Sequence, residues 1–120
     1  MSAAAVACYR EVDATTRVLS ASGPALTAIL YEELVDTLCL SRRPGHLGST
    51  CARALAILAS LEADLASNGT AFATQMRTIH RFAQLRIEQS LRENDPKWCQ
   101  AALAEIRPIA EAWASVRSNP

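Results

Sequence analysis

The stretch Ser22-Gly23-Pro24-Ala25-Leu26-Thr27-Ala28-Ile29-Leu30-Tyr31-Glu32-Glu33-Leu34-Val35-Asp36-Thr37-Leu38 decides the fold class. Its first three residues are a helix-start signal. The Ser22 hydroxyl can accept from the first orphan backbone N–H groups, and proline is tolerated in a first turn, where its missing N–H costs nothing. Leu26, Ile29, Leu30, Leu34 and Leu38 then recur at three- and four-residue intervals, which lines them along one side of a helix.

Moving outward, the same grammar repeats. Arg43-Pro44-Gly45 ends this helix, and Gly48-Ser49 opens another carrying Ala54, Leu55, Ile57, Leu58, Leu61 and Leu65. Asn68-Gly69 reads as a left-handed stop. A further helix begins near Thr70, with a stripe of Phe72, Met76, Ile79, Ala83 and Ile87 flanked by Phe82 and Leu91. Asn94-Asp95-Pro96 closes it and starts the last one, with Asp95 as cap and Pro96 at the first helical position. Trp98, Ala102, Ile106, Ile109, Trp113 and Val116 form the last stripe. Pro108 interrupts that helix, and because the stripe continues past it, a kink is expected rather than an end. Upstream, a weaker segment predicts a short helix near Ala3 to Val12 and then a loose connection. Short connections make consecutive helices antiparallel neighbours. The expected architecture is all-α: one domain over residues 1–120, an up-down four-helix bundle spanning 21–117 with a short additional N-terminal helix in segment 1–20.

Bulk properties agree. The chain has 120 residues, half of them hydrophobic, enough for a core without metal or disulfide staples. Lys+Arg and Asp+Glu balance at 12 each, which argues against a nucleic-acid binder. Arg77 and Arg81, four apart, share a helix face and read as solvated surface. Cys8, Cys39, Cys51 and Cys99 are widely spaced and include no C-x-x-C pair, as expected for reduced thiols in the cytoplasm. The N-terminus lacks the basic and apolar regions of a secretory signal, and no apolar run reaches the roughly 18 residues of a membrane span.

Catalytic motifs are missing from the sequence. It contains no phosphate-cradling glycine loop, nucleophile elbow or His-Glu-x-x-His. We therefore expect no enzymatic activity, no cofactor and no metal. His46 stands between Cys39 and Cys51, but the trio lacks a fourth ligand and fits no zinc spacing. His80, mid-helix, is a candidate phosphoacceptor of the kind found in histidine-phosphotransfer bundles, although Arg81, Phe82, Ala83, Gln84 and Leu85 do not follow that pattern. A helical adaptor or signalling bundle of this sort is the alternative reading. Tyr31, Phe82, Trp98 and Trp113 read as core or rim anchors.

Ala21 to Glu32 also resembles a segment of the FliS family, the flagellin-export chaperones, whose second helix opens Ala-Ser-Pro-x-x-Leu-Thr and leads into Leu-Tyr-Asp. Ala21, Ser22, Leu26, Thr27, Leu30 and Tyr31 fit, and Glu32 stands for the acid. Arg53 to Leu65 is similar to the family's basic-Ala-x-x-Ile-x-x-x-Leu core. Met76, Ile79, His80 and Phe82 are similar to its Leu-x-x-Leu-Tyr-x-Tyr segment. The resemblance implies a non-enzymatic cytoplasmic chaperone that binds the C-terminal helical segment of flagellin and contacts the flagellar export apparatus, without nucleic acid or membrane. It implies a partner-binding surface at Leu26, Ile29, Leu30 and Tyr31 on one helix and at Ile79, His80 and Phe82 on another. Some of these seven must be core.

Overall fold

The computed structural model describes residues 23–65 and 69–118. Four helices follow in chain order: α1 Gly23–Cys39, α2 Leu47–Leu65, α3 Ala71–Glu93 and α4 Lys97–Ser118. One 3-10 turn, Leu40–Arg42, prolongs α1, and no strand occurs among the described residues. The fold is all-α, as expected. α1 and α3 each pack on both α2 and α4. Helices consecutive in sequence are therefore neighbours, while α1 faces α3, and α2 faces α4, across the two diagonals of the core. The expected N-terminal helix and the Ser22 cap lie outside the described residues.

The helix ends follow from local chemistry. Thr70 precedes α3 in an extended conformation and its side chain accepts from the Ala73 N–H at 3.1 Å, satisfying one orphan donor. Asn94 closes α3 in the left-handed region, φ 50°, where asparagine is tolerated. The Asp95 carboxylate then accepts from the Lys97 N–H at 3.0 Å, capping α4 as expected. Between α1 and α2 the left-handed residue is Gly45, φ 76°. The stop expected at Asn68-Gly69 turns on Asn68, which lies outside the described residues. α4 runs through Pro108 to Ser118 without ending, as the continuing stripe requires.

Leu34, Leu38, Cys51, Ala54, Ala83, Ile87, Cys99, Ala102 and Ile106 form the centre of the core, all fully buried. The stripe expected on α3 is corrected by rotation. Ala73, Met76, His80, Ala83, Ile87 and Ser90 face inward, while Phe72 is exposed. Small and polar residues are admitted because neighbouring helices supply their packing and hydrogen bonds. The Ser90 hydroxyl, for instance, accepts from the Cys99 N–H at 2.7 Å and so caps the next helix.

Candidate functional site

The seven expected partner-binding residues fall into two groups. Ile29, Tyr31 and His80 are buried in the bundle. Leu26, Leu30 and Ile79 are half-buried, and Phe82 is 53% exposed.

The buried group is organised around His80, which is 1% exposed. The Tyr31 hydroxyl lies 2.6 Å from His80 Nε2, and His80 Nδ1 lies 2.9 Å from Glu62 Oε1. The Glu62 carboxylate oxygen is the acceptor in this contact, so Nδ1 bears the ring hydrogen and donates to it. Nε2 then accepts from the tyrosine. Burial lowers the His80 pKa, opposed by the hydrogen bond and charge of Glu62. Burial also raises the Tyr31 pKa, with the Glu62 charge adding to it, so the phenol stays protonated as the donor role requires. Glu62 Oε2 meets Arg77 Nε at 3.6 Å near the surface. Trp113 of α4 stacks on the Tyr31 ring at 6.4 Å and 20°. One side chain from each helix thus meets at this point. His80 has both ring nitrogens engaged and no exposed face, so no nitrogen is available to receive a phosphoryl group.

The second diagonal is closed by thiols. Cys51 and Cys99, both fully buried, lie 3.7 Å apart at Sγ. Burial first, and the neighbouring thiol second, push Cys51 up to about 12. Cys39 is exposed, with Arg107 Nη2 at 3.8 Å. Cys39, His46 and Cys51 therefore do not converge, and among the described residues no group of three or more His, Cys, Asp or Glu is placed to hold a metal ion.

The exposed group lines surface grooves. Leu26 and Leu30 border one of about 440 Å³ between the start of α1 and the end of α2, opposite Ser60, Leu61 and Asp64. Ile79 and Phe82 border another of about 390 Å³ between α3 and α4, with Arg86, Ala104, Glu105 and Pro108. Phe82 also reaches a third, of about 440 Å³, with Leu85, Thr74, Thr78, Arg77, Arg81 and Glu62. The large hydrophobics exposed among the described residues, Phe72, Phe82, Leu85 and Leu91, all belong to α3. Sequence reasoning missed Glu62 and Leu85. Glu62 meets His80 from another helix, which no periodicity reveals, whereas Leu85 three residues after Phe82 was a legible sign of a second apolar stripe on α3.

No described helix is long and apolar enough to cross a membrane. Comparison with characterised proteins and with solved structures gave no match. Comparison with protein families gave a match over residues 5–120 to the family described as flagellar protein FliS. The match spans nearly the whole chain, including all four described helices, and the chain belongs to the FliS family of flagellar export chaperones.

Proposed function

We propose that this protein binds the C-terminal helical segment of flagellin in the cytoplasm and prevents its polymerisation before secretion, without catalysing a reaction. The observation that carries this reading is the outward apolar surface of α3, where Phe82 is 53% exposed between two grooves. A large aromatic held open to water on a rigid helix is unfavourable unless a partner covers it. An amphipathic segment with an unsatisfied apolar face has the complementary need, and a groove between bundle helices meets it by the helix-in-groove mode.

Leu26 and Leu30 border a groove between α1 and α2, and Ile79 and Phe82 one between α3 and α4. In our reading these four contact the cargo directly. Ile29, Tyr31 and His80 support them from beneath, with the Tyr31–His80 bond holding α1 and α3 in register. The half-buried positions line walls rather than protrude, so a long cargo segment would engage more than one groove. Contact with the export apparatus follows from the same role.

Seeded polymerisation of purified flagellin, followed by light scattering, tests the reading. Equimolar chaperone should suppress filament growth, and Phe82→Ala should relieve that suppression while the variant stays folded. Unaltered growth in the presence of the wild-type protein would contradict it.

A further inference from the structure

The chain is neutral overall, but its charges are segregated. α1 carries Glu32, Glu33 and Asp36 and no basic residue. α3, across the core from it, carries four arginines against two glutamates. Three of those arginines flank the exposed apolar spot formed by Phe82 and Leu85, at 53% and 42% exposure. Arg77 and Arg81 stand on the α2 side and Arg86 on the α4 side.

The groove on the α2 side has a clear sign preference. Its acid, Glu62, is engaged at both oxygens, by His80 and by Arg77. Thr74 and Thr78 direct their hydroxyl protons to the carbonyls of Thr70 and Thr74 on their own helix. The donors left for a partner are therefore guanidinium N–H groups. Each guanidinium has five. Arg77 uses Nε toward Glu62, and Arg81 uses Nη1 toward the neutral amide of Gln84, which in turn donates to Glu88. On the far side of Phe82, Arg86 is held by its stack over Trp98, 5.4 Å from the ring centroid. This layout has an apolar centre and a guanidinium group on each edge, with Glu105 beside Arg86 in the groove on the α4 side.

We propose that the outer face of α3 is a docking site for an amphipathic helix whose apolar stripe covers Phe82 and Leu85 and whose carboxylates, along both edges of that stripe, pair with Arg81 and Arg86. The occupant follows from charge complementarity: the groove offers donors and positive charge, and a carboxylate accepts from a guanidinium in the fork geometry that binds both oxygens. The inference rests on the cargo reading, since Phe82 is common to both, and names the charge pattern of the segment that lies there. Such edges set register and partner choice, while the apolar stripe supplies most of the affinity.

Two synthetic helical peptides test it, identical in their leucine stripe and carrying either glutamates or lysines along both edges. Each is titrated against the wild type and against Arg81→Glu, with circular dichroism confirming the fold of the variant. The glutamate peptide should bind the wild type, and Arg81→Glu should weaken it about tenfold or more. The lysine peptide should show the opposite preference, a reversal that a folding defect cannot produce. No binding of the glutamate peptide to the wild type, or equal binding of both peptides, overturns the proposal. The flagellin C-terminal segment is titrated in parallel. If it binds the wild type and Arg81→Glu equally, the chaperone reading stands and this inference falls. If it binds neither while the glutamate peptide shows the expected preference, the charge-edged site stands and flagellin is not its occupant.

Discussion

Tyr31 and His80 lie 49 residues apart in sequence, and their side chains meet at 2.6 Å in the buried centre of the bundle. The bond ties α1 to α3 across one diagonal, as Cys51 and Cys99 join α2 to α4 across the other. A bundle of leucine and alanine alone would specify its rotational register weakly, because such stripes slide at little cost. A buried hydrogen bond between diagonal helices is satisfied in one arrangement only. That register sets which face of α3 remains outside, and hence where Phe82 and Leu85 stand.

Replacing Tyr31 by Phe keeps the ring stacked on Trp113 and removes only the hydroxyl. His80 Nε2 is then a buried acceptor without its donor, which costs about 1–3 kcal/mol. The denaturant midpoint should fall by the corresponding amount. A second change, His80→Leu, made in the Tyr31→Phe background, should cost less than it does alone, since the orphaned acceptor goes with it. Strict additivity of the two would mean that the bond contributes nothing.

The same histidine gives the protein an acid limit. Its folded pKa lies below the ordinary 6.5 because burial disfavours the charged ring. Above 6.5 both folded and unfolded chains hold it neutral, so stability is fully present there. As pH falls below 6.5 the unfolded chain takes up a proton that the folded one refuses, and stability declines until the folded pKa is passed. Denaturant midpoints at pH 7.5 and 5.5 should show this loss, and His80→Gln, though less stable, should show a flatter dependence. An identical slope in the variant would assign the effect to other groups.

The positions of the helices were legible in the sequence and their rotation was not. Thr70, Asn94 and Asp95 mark ends through bonds to backbone within a few residues, so local chemistry suffices to read them. The buried face of α3 depends on Glu62, 18 residues away, and Tyr31, 49 residues away. Phe72 was placed in the stripe because it is apolar, whereas the core accepts Ala73 instead. At Leu26 and Phe82 the candidate surface was readable from the family resemblance. At Arg77 and Arg81 it was not, because a neutral total conceals that α1 carries acids and no base while arginines outnumber glutamates on α3.

Cysteine reactivity should divide by depth. Cys51 and Cys99 are fully buried, and the Cys51 thiol is held up at about 12, so its thiolate, the reactive form, is scarce at neutral pH. An aromatic disulfide reagent should modify exposed Cys39 in the native protein and reach the buried pair only after denaturant is added, with peptide mass mapping identifying each site. The thermal melt should be unchanged by reductant or chelator. Rapid native labelling of Cys99 would show that this end of the core opens.

Pro108→Ala should stabilise α4. Proline inside a helix costs about 3 kcal/mol against alanine in isolated hosts, chiefly through the lost N–H and the crowded preceding turn. The restored N–H gives the Ala104 carbonyl its partner. Because the Pro108 ring is exposed and borders the Phe82 groove, the realised gain should be smaller than the host value. A lower denaturant midpoint for the variant would mean that local packing has come to depend on the ring.

The central claim is that the apolar surface of this bundle exists to cover the C-terminal segment of flagellin. Titration calorimetry of the wild-type protein with full-length flagellin, and with flagellin lacking that segment, tests it most directly. Full-length flagellin should bind with a negative heat-capacity change, the mark of buried apolar surface. The affinity gained per unit of buried surface should be modest, because a disordered segment must order as it binds. The truncated flagellin should give no binding heat. Equal binding of both forms, or no binding of either when both are folded, would contradict the account.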